Sequence, residues 1–224
     1  IILLFQILDT KKECASVYID GRITDEYDEA SLTGTWAPNQ HYNNLNYASV
    51  WALGATLNEC CPEQLKEEWD YVNKKAAAFL NSFHNGKIDL QEVCFYDLLP
   101  ESFLAQFYDL KNKITSHVFD TYERPENHDF ISDLILFLRR IEQQKLNLDF
   151  NNLDMTNSKI RNTLPKIRNS PNHVSYNPWG TITGRLTTNK NSFPILTLNR
   201  ELRPVVRPKN DCFVELDYNA AEIR

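Results

Sequence analysis

The sequence predicts an α+β fold, and three observations carry that prediction. Between residues 62 and 146 apolar residues recur at three- and four-residue steps, the spacing that lines one face of an α-helix. Near the start, β-forming residues flank Asp20-Gly21, a dipeptide suited to a tight hairpin. After residue 174 short β-forming runs return, separated by Asn, Pro, Ser and Gly. A hydrophobic share of 42% with 12% aromatics sustains a core and excludes wholesale disorder. A length of 224 residues fits one large domain or two small ones.

The elements follow in order. Ile1-Ile2-Leu3-Leu4-Phe5 is apolar, with neither the charged lead nor the small-residue cleavage site of a signal peptide, and reads as a buried strand. Val17-Tyr18-Ile19 leads into Asp20-Gly21, and Arg22-Ile23-Thr24 leads out, so a type I′ turn is expected, with positive φ at both central residues. Residues 25–47 are polar and read as loop, and 47–57 are ambiguous between strand and helix. A first helix begins at Pro62, presents Trp69, Val72, Ala76, Phe79 and Leu80, and stops at Asn85-Gly86. A second covers about 100–122 with Leu104, Phe107, Leu110, Ile114 and Val118 on one face. A third covers about 128–146 with Phe130, Leu134, Leu138 and Ile141. Helical periodicity fades after about Ile167, Val174-Ser175-Tyr176 and residues 179–186 read as short strands, and Phe213-Val214-Glu215-Leu216 alternates like a further one. The change of texture puts a boundary between 148 and 175.

Charge is distributed unevenly. The net charge is −6, yet residues 156–210 hold ten bases against the single acid Glu201, a local net of +9. Residues 1–155 carry 13 bases and 25 acids, and residues 211–224 one base and four acids. A basic stretch followed by an acidic site suits phosphodiester chemistry, because the bases hold a polyanion and the acids a cation. A solvated basic face is the alternative reading. The five cysteines have no C-x-x-C pair and read as free thiols in a reducing compartment, so a cytoplasmic, non-secreted protein is expected. The five histidines lack metal-binding spacing and read as ordinary surface or loop residues. No apolar run reaches the roughly 20 residues of a membrane span, and no membrane partner is expected.

The most informative residues close the chain: Asp217-Tyr218-Asn219-Ala220-Ala221-Glu222-Ile223-Arg224. An aspartate at the end of a strand, turning into a helix start, is a place to hold a divalent cation, since Mg²⁺ prefers hard oxygen ligands. Asp217 could equally end a strand with no further role. Asn219 with Glu222 three residues on is a capping-box pattern. Upstream stands Thr183-Gly184-Arg185-Leu186-Thr187-Thr188, where Gly permits close backbone approach and Arg offers a planar fork of donors. A surface turn arginine in a salt bridge is the bland reading of Arg185.

Together these runs resemble two motifs of the family A DNA polymerases, the bacterial DNA polymerase one type, written there D-Y-S-Q-I-E-L-R and T-G-R-L-S-S. The resemblance is confined to about residues 174–224. It implies an N-terminal mixed region over 1–100, degenerate exonuclease-like or unrelated, a helical thumb-like region over 101–173, and the start of a palm domain of antiparallel strands over 174–224. It implies a DNA-directed DNA polymerase that adds deoxynucleotides from a dNTP to a primer–template DNA. Two Mg²⁺ ions ~4 Å apart would serve that chemistry. Asp217 and Glu222 would be catalytic, Asp217 binding metal together with the Tyr218 carbonyl, and Tyr218 and Glu222 would lie at the nucleotide, with Glu222 excluding a 2′-hydroxyl. Arg185, with Gly184, Thr188, Lys190 and Arg203, would contact DNA. In the family Arg185's counterpart reaches minor-groove acceptors common to all base pairs. Ser175-Tyr176 and Leu202-Arg203 resemble softer features of the same family. Arg200, Arg203 and Arg207 would meet phosphates, or are solvated bases.

The departures are also informative. Lys190-Asn191-Ser192-Phe193-Pro194-Ile195-Leu196-Thr197 stands where the family has P-N-L-Q-N-I-P, and no duplex-contacting glutamine is evident. Asn219, Ala220 and Ala221 replace serine, glutamine and isoleucine, which suggests a divergent, viral branch. Leu8-Asp9-Thr10-Lys11 lacks the D-x-E of a proofreading site. The family's second catalytic aspartate and fingers helix follow its motif A. A C-terminal polymerase half, from the same gene or a separate chain, is therefore an expected partner, and this chain alone is expected not to polymerise. The rivals are a non-catalytic nucleic-acid-binding remnant and a single-subunit RNA polymerase relative, the latter disfavoured by Glu222.

Overall fold

The computed structural model describes residues 5–7, 16–28, 32–38, 45–90, 93–151 and 153–215. The chain is α+β, with helices and small, mostly antiparallel sheets. It packs as two units, Ile1–Arg140 and Ile141–Arg224, a division that falls inside the helical segment expected over 101–173. Among the described residues no helix is long and apolar enough to cross a membrane.

In the first unit β1 (Phe5–Ile7), β2 (Val17–Ile19) and β3 (Arg22–Thr24) form an antiparallel sheet in the order β1-β2-β3. Val17 faces Thr24 and Ile19 faces Arg22. Asp20 and Gly21 have φ of 45° and 83°, the pair of positive values that a type I′ turn needs. Of the expected N-terminal strand, residues 1–4 lie outside the described residues. The hairpin is anchored through Tyr18. Its hydroxyl donates to Asp109 Oδ1 at 3.3 Å, and its ring lies 6.2 Å from that of Tyr108. Burial, followed by the neighbouring Asp109 carboxylate, pushes the Tyr18 phenol up to about 12.

The stretch read as loop over 25–47 contains more structure than its polarity suggests. A parallel pair, β4 (Gly34–Thr35) with β5 (Asn46–Tyr47), crosses it, and Leu32, Trp36, Leu45 and Tyr47 are buried. Four large apolar side chains, too widely spaced to show a period, are enough to fold it inward. The ambiguous stretch that follows becomes a single helical turn, α1 (Ala48–Trp51).

The long helices occupy their expected places. α2 (Glu63–Asn85) starts after Pro62, and α3 (Glu101–Thr121) after Pro100. All five expected core residues of α3 are buried, joined by Phe103, Tyr108, Lys111 and Thr115, so α3 is the central element of this unit. α2 buries Trp69 and Val72 fully, whereas Leu80 is exposed. α4 (His128–Glu142) is shorter than expected; of its expected face Leu138 is buried, Leu134 and Ile141 are half-buried and Phe130 is exposed. Ile131, Ile135 and Leu136 pack with Leu32, Leu45, Tyr47 and Val50, while Phe130 is 70% and Phe137 58% exposed. The expected face is partly right, since Leu138 is buried, but the buried side is shifted toward Ile131, Ile135 and Leu136, which meet the preceding loop.

Two readings of polar residues need correction. His128 is buried, not superficial: its ring meets Trp51 edge-on at 4.5 Å and its Nδ1 lies 3.2 Å from Asp129 Oδ1. Cys60, Cys61 and Cys212 are free, but Cys94 is disulfide-bonded. Pairing depends on how close two Cβ atoms come in space, and sequence spacing does not report that.

The second unit is built around α5 (Ser158–Arg168). The Asn157 side chain accepts from the Lys159 N–H at 2.9 Å, an N-cap that satisfies one of the helix's unpaired donors. Ile160, Leu164 and Ile167, spaced four and three apart, form its buried face. Ile160 and Ile167 pack with Val174, Phe193, Leu198, Leu202 and Val205. Two short antiparallel pairs frame this core: β6 (Asn147–Leu148) with β9 (Val206–Arg207), and β7 (Tyr176–Asn177) with β8 (Thr187–Thr188). Residues 179–186, read as a strand, are instead the loop between β7 and β8, because Gly180 and Gly184 interrupt the run and Gly184 takes φ 72°. Of the strand expected over 213–216, Phe213, Val214 and Glu215 form none, with Phe213 and Val214 65% and 79% exposed, and Leu216 lies outside the described residues.

The end of α2 generates a prediction. The helix stops near Asn85-Gly86 as expected, but Gly86 keeps a helical φ of −72° and Lys87 takes the left-handed conformation, φ 57°. Ile88 N–H donates to Phe83 O, and Lys87 N–H to His84 O, both at 3.0 Å, the bond pair of a Schellman motif with lysine where glycine is favoured. Lys87→Gly should raise stability by about 1 kcal/mol, seen as a higher melting temperature. An unchanged or lower temperature would show that the lysine is not strained there.

Candidate nucleic-acid interface

The β7–β8 hairpin carries most of the residues expected to touch DNA, and its shape comes from local bonds. Strands of two residues are too short to hold a loop alone. Ser175, buried just before β7, supplies the extra bonds. Its N–H donates to Ser192 Oγ at 2.9 Å, its Oγ accepts from Asn189 Nδ2 at 2.9 Å, and its carbonyl accepts from the Asn189 N–H at 2.9 Å. These bonds tie the segment entering β7 to the segment leaving β8. Tyr176 pairs with Thr188 and Asn177 with Thr187. Burial raises the Tyr176 phenol above the usual tyrosine range.

Within the loop, Trp179 N–H donates to Asn177 Oδ1 at 2.9 Å. Gly184 N–H donates to Thr181 O at 3.3 Å, closing a four-residue turn, and Thr181 Oγ1 donates to Arg185 O at 2.8 Å. Gly180 lies against Thr187: a Cβ added there would come 2.9 Å from Thr187 Cβ and overlap its hydroxyl. Gly184 is a different case, since its positive φ, rather than crowding, calls for glycine; a Cβ there would meet nothing.

Gly184 and Arg185 therefore lie exposed on the loop, Thr188 is half-buried on β8, and Lys190 is exposed in the turn that follows. One hairpin brings these four together. Arg203 stands elsewhere in the unit, on a 3₁₀ helix (Arg200–Val205) whose Leu202 and Val205 are buried. At three residues per turn, positions three apart align, so the spacing that buries Leu202 and Val205 lines up Arg200 with Arg203 outside. Arg207 lies with its Nε 3.7 Å from Asp149 Oδ2, which gives it an intramolecular carboxylate. All ten bases between 156 and 210 are exposed in the folded unit.

Asp217, Tyr218 and Glu222 lie outside the described residues. Among those described, no group of three or more acidic, histidine or cysteine side chains could hold a metal ion. Reading by motif missed Gly180, Asn189 and Ser192, which shape the hairpin without belonging to the T-G-R-L run; the glycine after Trp179 was the available signal. No family model, curated protein or solved structure matches the chain.

The Gly180–Thr187 contact generates a prediction. Gly180→Ala must push the two arms of the hairpin apart and should destabilise the second unit by about 1–3 kcal/mol. Thermal unfolding checks it, and a variant as stable as the parent would show that the approach is not close.

Proposed function

We propose that this chain is the N-terminal and first palm part of a divergent, viral DNA-directed DNA polymerase resembling family A. The second unit would bind primer–template DNA and Asp217 would contribute to the metal site. The observation that carries the reading is a hairpin loop that presents the T-G-R-L arginine at the surface of a unit whose exposed bases outnumber its acids, followed in sequence by D-Y-x-x-x-E-x-R.

In this reading Arg185 donates to groove-floor acceptors shared by all base pairs, which tests pairing geometry without selecting sequence. Lys190 and the aligned Arg200 and Arg203 meet phosphates, which fix position and add salt-dependent affinity. Arg207 is a weaker candidate, because Asp149 already lies beside it. Two Mg²⁺ ions would activate the primer hydroxyl and steady the triphosphate; Asp217 and the Tyr218 carbonyl would hold them, with the remaining ligands supplied by the C-terminal half. Glu222 would cap the helix that follows and select deoxynucleotides. The thumb-like role of residues 101–173, the exonuclease-like origin of 1–100 and a cytoplasmic location belong to the same proposal.

Two experiments test it. Binding of a labelled primer–template duplex by the chain, followed by anisotropy, should weaken steeply with salt. Lys190→Ala and Arg203→Ala should each flatten the log–log salt slope by roughly 0.9. Unchanged slopes in both variants would remove these residues from phosphate contact. With the chain joined to its C-terminal half, Asp217→Ala should lower magnesium-dependent primer extension by roughly 10³-fold, as loss of a metal-holding carboxylate implies. Extension at the parent rate would refute the polymerase assignment, whereas duplex binding without any extension would favour the non-catalytic remnant.

A further inference from the structure

The loop between β7 and β8 also carries an apolar residue at its tip. Ile182 is fully exposed, the most exposed large hydrophobic side chain among the described residues. It is the second residue of the turn closed by the Gly184 N–H to Thr181 O bond. Such turns favour Gly, Pro, Asn, Asp and Ser, for reasons of backbone geometry and local hydrogen bonding that a β-branched apolar residue does not serve. Single exposed apolar residues are ordinary on protein surfaces. This one differs in its setting, because the neighbouring hydroxyls bond within the loop itself. The Thr181 hydroxyl donates to the Arg185 carbonyl at 2.8 Å and the Thr183 hydroxyl lies 3.5 Å from Thr181 Oγ1. The tip is left with an isoleucine three residues from an exposed arginine, in a region of ten exposed bases.

We propose that Ile182 enters the minor groove of the duplex bound by this unit and packs against the deoxyribose walls beside Arg185. The inference rests on the duplex-binding reading above and adds a contact to it. A loop that bound phosphates alone would gain from a base at its apex. An apolar apex next to a cation matches the minor groove, whose floor offers acceptors and whose sugar walls are apolar, and apolar side chains are used there by other DNA-binding proteins. The contact is independent of base sequence, since every nucleotide presents the same sugar.

The test is anisotropy of the chain with a labelled DNA duplex over a range of salt concentrations, using Ile182→Ala and Ile182→Asn. Met155→Asn, at another exposed apolar position of the same unit, is the control. Because Ile182 is exposed, both variants should melt like the parent. Affinity should fall roughly tenfold in each, as expected for loss of one buried aliphatic contact. The salt slope should stay as in the parent, Met155→Asn should bind within twofold of it, and a ligand that fills the minor groove should compete. Parent-like affinity of both Ile182 variants on a duplex that the parent binds would overturn the inference alone, and so would a reduced salt slope, which would mark a phosphate contact instead. A parent chain that binds no duplex would overturn the duplex-binding reading as well.

Discussion

The hydrogen bonds of Ser175 are the constraint on which the second unit's candidate site depends. β7 and β8 pair over two residues each, too little to fix the nine-residue connection between them. Ser175 receives Asn189 through both backbone and side chain and donates its own N–H to Ser192. The bond from Ser175 N–H to Ser192 is buried, where an unpaired donor costs about 1–3 kcal/mol, so that part of the arrangement resists opening. Gly180 then lets the loop's first arm lie against Thr187, and the turn at 181–184 sets the direction in which Arg185 and Ile182 project. The arginine's position is thus a consequence of residues on either side of the motif that contains it.

Beneath this surface lies a modest apolar core. Ile160 and Ile167 of α5 meet Phe193 and Leu198 from irregular segments and Leu202 and Val205 from the short 3₁₀ helix. The capped helix gives these short segments a straight edge to pack against. Basic residues can then stay at the surface: in α5, Lys159, Arg161, Lys166 and Arg168 are exposed while the face between them is buried. The fold separates apolar and cationic residues that are interleaved in the chain, and the proposed duplex binding draws on the cationic surface this leaves.

The first unit has a different character. α3 is flanked by α1, α2 and the β2–β3 hairpin, and the aromatic rings of Tyr18, Trp69, Tyr96, Phe103, Phe107 and Tyr108 converge on it. Each fully buried side chain of this kind contributes about 1.5–3 kcal/mol. The bond from Tyr18 to Asp109 spans 91 residues of sequence and fixes the hairpin to the helix. Since the folded state holds the Tyr18 proton up to about 12, whereas a free phenol releases it near pH 10, the stability linked to it is present below pH 10 and is lost as pH rises toward 12.

The amino-acid sequence by itself determined the elements whose signal is local. The helices α2 and α3 follow from apolar spacing and a proline at each start, the hairpin turn from Asp20-Gly21, and the concentration of positive charge from simple counting. It also marked Gly184 and Arg185, because a short motif carries its own backbone and donor requirements. Tertiary structure decided what depends on neighbours distant in the chain. The inward packing of Ile131, Ile135 and Leu136 on α4, beside the expected Leu138, was settled by Leu32, Leu45, Tyr47 and Val50. Whether 179–186 would be strand or loop was settled by the bonds around Ser175 and the approach of Gly180 to Thr187. A residue's type fixes what it can bond to and which φ it tolerates; which partner arrives is fixed when the rest of the chain closes around it.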